Sequence, residues 1–151
     1  MVLAGARPDF SRFAHYCTDK TGACAQLHNG ETPPDPPHDA RIRAAVIADA
    51  PSIVFTKENL AAIKIPLQLW RSKLGGAGIG PDSTARVADG LPGKPDIHTV
   101  PAGHFAFLPP CSPRLAANLP RFCSDPPDFD RTAFHRDFNA EVIRFFRHHL
   151  Q

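Results

Sequence analysis

The stretch I-H-T-V-P-A-G-H-F-A-F-L-P-P, residues 97–110, decides how the rest of the sequence is interpreted. Ile97, Thr99 and Val100 favour β-structure and precede a proline, so they predict a short buried strand. The turn residues 101–103 then break the strand, and His104 follows at once. A histidine at the tip of a strand is well placed for general acid–base chemistry, and the alternative is a histidine of a surface loop.

Two further segments predict strands. Residues 42–50, I-R-A-A-V-I-A-D-A, form a nearly continuous apolar run, which is typical of a strand buried on both faces of a parallel sheet. Residues 65–70, I-P-L-Q-L-W, predict the next strand, and Ile97–Val100 is the third. Trp70 is expected in the core, where its indole N–H needs one partner.

Helices are predicted between and around these strands. The clearest is 131–150, in which five apolar side chains repeat at helical spacing: Phe134, Phe138, Val142, Phe145 and Phe146. The other predicted helices span 2–15, 56–63, 82–89 and 113–119, whereas 17–38 and 123–130 are predicted to be loops.

The order of helices and strands predicts the fold class. Helix and strand alternate along the chain, which is typical of an α/β fold with a parallel sheet and right-handed crossovers. The expected architecture has three layers, with about three parallel strands flanked by helices in one domain of 151 residues. Binding sites of open α/β sheets gather at the carboxyl ends of the strands. The segments 50–51, 71–80 and 102–105 are therefore the candidate site loops.

Composition excludes some classes of function. The net charge is only +2 and the arginines are scattered, so no nucleic-acid partner is expected. No apolar run is long enough to cross a bilayer, and no membrane partner is expected either. Residues 1–10 lack the basic start and apolar centre of a signal peptide, so a cytoplasmic location is expected for the chain as encoded.

The four cysteines lie at positions 17, 24, 111 and 123, as two locally spaced pairs. They allow three pairings, among which the sequence does not choose. Disulfides would indicate an oxidising compartment, in conflict with the missing export signal. A metal site is an alternative, because His15, Cys17, Cys24 and His28 are zinc-ligand types, although their spacing is not that of a standard finger. We expect no metal and no cofactor.

The sequence resembles a known family at several segments. D-A-R-I-R-A-A-V-I-A-D-A-P (39–51), I-K-I-P-L-Q-L-W (63–70), G-G-A-G-I-G-P-D (75–82), V-P-A-G-H-F-A-F-L-P-P-C-S-P (100–113) and the closing helix 131–150 are similar to the C-terminal half of the α/β-hydrolases. The closest branch is the dienelactone hydrolase-like group. The resemblance implies a partial α/β-hydrolase fold and an esterase-type activity on dienelactone or other carboxylester substrates.

The resemblance also implies roles for individual residues. His104 matches the family's general base, the catalytic histidine that takes a proton from a serine nucleophile. The family's acid commonly precedes a proline that matches Pro81, but its position here is Ala77. Asp82 is the nearest carboxylate and a weak substitute, because charge in the first turn of a helix is its more typical role. Asp49 could line a cleft, but we expect it to initiate a turn.

Two further expectations concern substrate and completeness. Arg71 follows the second predicted strand and is a weak candidate to neutralise a substrate carboxylate. No GxSxG motif occurs, so the resemblance places the nucleophile elbow before Met1 and implies a truncated hydrolase that is inactive alone. A full-length parent would allow a periplasmic or secreted location.

The alternative to a hydrolase is a non-catalytic remnant or partner subunit. The strand 43–48 would lose the elbow strand that it normally pairs with in a complete hydrolase, and an apolar sheet edge would be left open. Such an edge favours self-association or completion by another chain.

Overall fold

A parallel sheet of three strands forms the centre of the chain. The structure, a computed structural model, describes residues 1–31, 33, 34 and 37–151. Strands β1 (Ala45–Ala48), β2 (Leu67–Ser72) and β3 (Asp96–Val100) lie in the order β1-β2-β3. Both pairs of neighbours run parallel, with Ala48 opposite Trp70 and Trp70 opposite His98. The predicted α/β class with about three parallel strands flanked by helices is confirmed.

The strand boundaries differ from the predicted ones by a few residues. β1 is shorter than predicted, and β2 begins after Pro66 and continues through Arg71 and Ser72. Pro66 has no N–H to donate to a neighbouring strand, so proline is disfavoured inside a strand, and β2 begins at the next residue. The central position of β2 accounts for its burial, because all its residues except Arg71 are buried.

The described residues form six α-helices besides the sheet: α1 (Gly22–His28), α2 (Lys57–Leu60), α3 (Ser83–Gly90), α4 (Pro113–Asn118), α5 (Pro120–Cys123) and α6 (Arg131–His149). A capping box with Thr56 as the N-cap begins α2, and the Asp130 side chain accepts from the N–H of Ala133 to begin α6. The predicted helices near 56–63, 82–89, 113–119 and 131–150 are confirmed.

Two predictions near the N-terminus are wrong. The single helix predicted over 2–15 is instead two short 3₁₀ helices, Val2–Ala4 and Phe10–Tyr16. Gly5 ends the first with φ 108°, and Pro8 removes a donor from any continuous helix. The loop predicted over 17–38 contains α1. Thr32, Asp35 and Pro36 of that loop lie outside the described residues.

The two faces of the sheet carry separate apolar clusters. Leu67 and Leu69 pack with Leu60 of α2, Val87 of α3 and the N-terminal segment around Ala4. On the other face, Trp70 and Val100 pack with Phe134 and Phe138 of α6, which confirms the apolar stripe predicted for that helix. Successive side chains of a strand point to opposite faces of the sheet, so Leu67 and Leu69 enter one cluster and Trp70 enters the other.

Polar side chains link β2 to β3 beside the second cluster. The Trp70 indole donates to Gln68 Oε1 at 2.9 Å, and Gln68 Nε2 donates to Asp96 Oδ2 at 2.9 Å. His98 stacks on Trp70 and contacts the same oxygen through Nε2. Burial alone would raise the pKa of the Asp96 carboxyl, but hydrogen bonds from Gln68 and His98 and the charges of His98 and Arg144 outweigh it and hold that pKa below its ordinary value.

Disulfide bonds join Cys17 to Cys24 and Cys111 to Cys123, which selects one of the three open pairings. The second closes a loop that contains α4 and α5. Buried Arg131 secures this loop, because it donates to both carboxylate oxygens of Asp125 and to the Phe122 carbonyl.

Within the described part of the chain, no helix has the length and apolarity that a bilayer crossing requires.

Candidate active site

Asp49 lies directly after β1, at the carboxyl end of the sheet. Its N–H donates to the Trp70 carbonyl at 2.7 Å, so the backbone ladder between β1 and β2 continues through this residue. Its φ is 49°, in the left-handed region that aspartate enters more readily than most residues. The chain turns sharply here towards Ala50 and Pro51. The Asp49 carboxylate remains buried at the end of the sheet, between Ser72 and His104.

The side chain of Asp49 is only 2% exposed, and its carboxylate is surrounded by donors. The N–H of Ser72, the last residue of β2, donates to Oδ1 at 2.7 Å, and the Ser72 hydroxyl contacts Oδ2 at 2.5 Å. A buried carboxylate is costly unless its oxygens are hydrogen-bonded, and here both of them are. The arrangement therefore keeps a carboxylate in place where water does not reach it.

His104 reaches the same carboxylate from the loop after β3. Its N–H donates to the Gly75 carbonyl at 2.7 Å, which ties the β3 loop to the glycine-rich loop after β2. Gly76 has φ 125° and its hydrogen faces His104, since a Cβ there would lie 3.6 Å from the His104 Cβ. The loop thus has a backbone shape that only glycine adopts readily beside the histidine.

The imidazole and the carboxylate form a hydrogen-bonded pair. His104 Nδ1 lies 2.9 Å from Asp49 Oδ2, and the histidine side chain remains 30% exposed. An ionised carboxylate only accepts, so the bonding pattern assigns the proton to Nδ1 and leaves Nε2 as an acceptor in the neutral ring. No group among the described residues hydrogen-bonds to Nε2.

This geometry is that of an acid–base pair. A buried carboxylate that accepts from Nδ1 fixes the tautomer and the orientation of the ring, and it stabilises the imidazolium that forms when Nε2 takes a proton. The described hydrogen bonds bring no hydroxyl or thiol to Nε2, and the Ser72 hydroxyl is engaged by Asp49. The structure thus brings together the base and its orienting acid.

The carboxylate that meets His104 differs from the one favoured by sequence. Asp82 is the exposed N-cap of α3, and its side chain makes no capping hydrogen bond, whereas Asp49 contacts the imidazole. Asp49 does lie at a turn, as expected, and its buried carboxylate also accepts three hydrogen bonds, from the N–H and hydroxyl of Ser72 and from His104. One feature of the sequence could have identified Asp49 as the partner of His104. It is an aspartate directly after an apolar strand, at the same sheet edge where His104 was expected.

Arg71 is not brought to this pair. It lies within β2 rather than after it, and its Nε donates to Thr99 Oγ1 on β3 at 2.9 Å. Strand alternation directs Arg71 to the face opposite Ser72, whose hydroxyl bonds Asp49.

Aromatic rings lie beside His104, whose ring contacts Phe105 with centroids 5.5 Å apart. Phe105 packs edge-on against Phe122 with ring centroids 4.7 Å apart, next to the Cys111–Cys123 disulfide. A cavity of about 700 Å³ is lined by Pro51, two residues after Asp49, and by Ala77 of the glycine-rich loop, but Asp49 and His104 are not among its lining residues. The imidazole of His104 is therefore flanked by an aromatic ring and partly exposed to solvent.

The four zinc-ligand types of the N-terminal region do not form a metal site. Cys17 and Cys24 are joined in a disulfide and have no thiolate to offer, while His28 Nε2 contacts the Cys17 carbonyl at 3.1 Å. In the ranges that the structure describes, no three His, Cys, Asp or Glu side chains are grouped to hold a metal ion.

Comparison of the sequence with protein-family models, with curated proteins and with solved structures finds no match. The fold and the site define a small α/β protein in which a buried aspartate pairs with a partly exposed histidine at the carboxyl ends of a parallel sheet.

Replacing Ser72 with alanine should destabilise the protein, because it removes a hydroxyl donor from the buried Asp49 carboxylate. The expected loss is about 1–3 kcal/mol in the free energy of unfolding, measured by chemical denaturation. The matched control is Ser124→Ala, because the exposed Ser124 hydroxyl donates to the Pro120 carbonyl. This change should lower the free energy of unfolding by less than about 1 kcal/mol. Equal losses in the two variants would contradict the role assigned to Ser72.

Proposed function

We propose that this chain is the C-terminal portion of a serine-type α/β-hydrolase that acts on ester-like substrates. The observation that carries the proposal is the pair of His104 Nδ1 and Asp49 Oδ2, 2.9 Å apart at the carboxyl ends of parallel strands. The resemblance of the G-H-F turn to the dienelactone hydrolase-like group supports the same reading. Asp49 replaces Asp82 as the acid in this proposal.

The chain order of the residues agrees with such an enzyme. In α/β-hydrolases the nucleophilic serine comes first, the acid second and the histidine last. Asp49 precedes His104, and the serine would belong to a segment before Met1. Nε2 of His104 would accept the serine proton during attack on the ester carbonyl, and would return it to the leaving alkoxide.

The edge of the sheet beside β1 suits an additional strand. Ala45 donates its N–H to the carbonyl of Pro66, just before β2, and Asp49 donates to that of Trp70. The alternation of a parallel ladder therefore turns the N–H and C=O of Val46 and Ala48 away from the sheet. β1 has no second strand partner among the described residues. A parallel strand added there would end at the same sheet edge as Asp49, and would present a serine on the following turn near His104.

The coding sequence upstream of the Met1 codon should therefore encode, in frame, a strand followed by GxSxG. The extended protein should show an acyl-enzyme burst with p-nitrophenyl acetate, and Asp49→Asn should lower kcat by about 10⁴-fold. His104→Ala should be at least as damaging. The 151-residue chain alone should give no burst above its own His104→Ala variant.

The sheet offers a matched control pair. His98 and Asp96 are also hydrogen-bonded, but they lie on β3 rather than at the carboxyl ends of the strands. His98→Ala and Asp96→Asn should leave the burst within a few-fold of the parent. An in-frame extension without the elbow, or an activity that survives His104→Ala, would refute the hydrolase proposal.

A second candidate function is a non-catalytic subunit that binds through the edge of β1. The unpaired backbone groups of Val46 and Ala48 favour this reading, since an open edge is a template for pairing with another strand. The edge belongs to a mostly apolar strand, A-V-I-A, with no charge to repel a partner.

If the edge binds a second copy, sedimentation velocity should detect a dimer whose population rises with protein concentration. Ala48→Lys should abolish the dimer, because an edge lysine opposes strand pairing. Ala117→Lys, on the exposed surface of α4, adds the same charge elsewhere and should leave it intact. A monomer at all concentrations, or a dimer that persists in Ala48→Lys, would rule out self-pairing at this edge.

A further inference from the structure

A second, smaller cavity lies away from the Asp49–His104 pair. It has a volume of about 220 Å³ and is half open to solvent. It forms between the 3₁₀ helix Phe10–Tyr16, the loop after β1 and helix α3. Its lining residues are Arg12, Tyr16, Ser52, Ile53, Phe55 and Arg86.

The cavity is rich in hydrogen-bond donors. Arg12 Nε donates to the Ile53 carbonyl at 2.8 Å, which anchors the guanidinium while its two terminal nitrogens have no partner among the described residues. The guanidinium of Arg86 and the hydroxyl of Tyr16 likewise hydrogen-bond to nothing in the described ranges, whereas the Ser52 hydroxyl contacts Ser83. Each arginine has several donors to offer and no acceptor.

The charge of the cavity is uncompensated. None of its lining residues is acidic, and both charged ones are arginines. Asp82 lines the adjoining larger cavity together with Arg86, but the two form no ion pair in the part of the chain that the structure describes. Two guanidinium groups on one small cavity favour an oxyanion between them, because the planar fork of arginine matches the oxygens of a carboxylate or phosphate.

The adjoining cavity suits an apolar group. The two cavities share Tyr16, Ser52, Ile53 and Arg86, so they lie side by side. The larger cavity adds mostly apolar walls, namely Phe13, Pro51, Ile79 and Pro81. Its volume of about 700 Å³ lies in the range typical of small-molecule sites.

We propose that these joined cavities bind an organic anion. A carboxylate or phosphate head is held between Arg12 and Arg86 with help from Tyr16, and an apolar body of several carbons lies against Phe13 and Ile79. The proposal does not depend on hydrolase activity, because none of these residues belongs to the Asp49–His104 pair.

Isothermal titration of the chain with octanoate and octyl phosphate tests the proposal. Both should bind more tightly than acetate or inorganic phosphate, which lack the body, and than octanol, which lacks the charge. The better of the two eight-carbon ligands identifies the head group. Arg86→Gln should weaken binding by about tenfold or more, since it removes charge-assisted hydrogen bonds and no internal contact.

Arg12→Gln should weaken binding to a similar extent, and circular dichroism melts would show whether the lost bond to Ile53 unsettles the fold. Arg114→Gln, an exposed arginine on α4, has the same change of charge and should leave the affinity within about twofold. The proposal is overturned if neither eight-carbon anion binds at millimolar concentration, if octanol binds equally well, or if Arg86→Gln binds like the parent. Equal affinities for acetate and octanoate would likewise overturn it.

Discussion

A carboxylate that is buried must be satisfied by its surroundings, and that constraint on Asp49 organises the carboxyl end of the sheet. Its oxygens accept from Ser72 at the end of β2 and from His104 after β3, while its own N–H continues the ladder of β1. One side chain therefore ties together all three strand ends. Removal of any one of these donors would leave the buried carboxylate short of one hydrogen bond, which costs more than the loss of a solvent-exposed one.

The same sheet contains two Asp–His pairs with opposite ring orientations. His104 meets its carboxylate through Nδ1, and its ring lies at the strand ends, partly exposed to solvent. His98 meets Asp96 through Nε2, stacks on Trp70, and lies within a strand packed by α6. The second pair links β2 and β3 in a polar network, whereas the first leaves an accepting nitrogen free. Position and tautomer, rather than residue type, separate the structural pair from the candidate catalytic one.

Much of this could be predicted from local sequence. The β-branched run before Pro101 predicted β3, and the phenylalanine spacing in 131–150 predicted α6, because each pattern depends on one segment alone. The role of Asp49 could not be predicted in this way, since Ser72 reaches it only through the register of β1 on β2. The helix over 2–15 failed because backbone preferences at Gly5 and Pro8 outweighed apolar spacing. The pairing of the cysteines depended on the fold of their loops.

The most direct measurement of the central claim is the tautomer of His104 by long-range ¹H–¹⁵N NMR at a pH where the ring is neutral. If Asp49 orients the ring, the proton resides on Nδ1 of His104, whereas His98 serves as an internal reference with its proton on Nε2. Asp49→Asn should remove the Nδ1 preference of His104 and leave His98 unchanged. A His104 proton on Nε2, or a His104 spectrum unchanged in Asp49→Asn, would contradict the account.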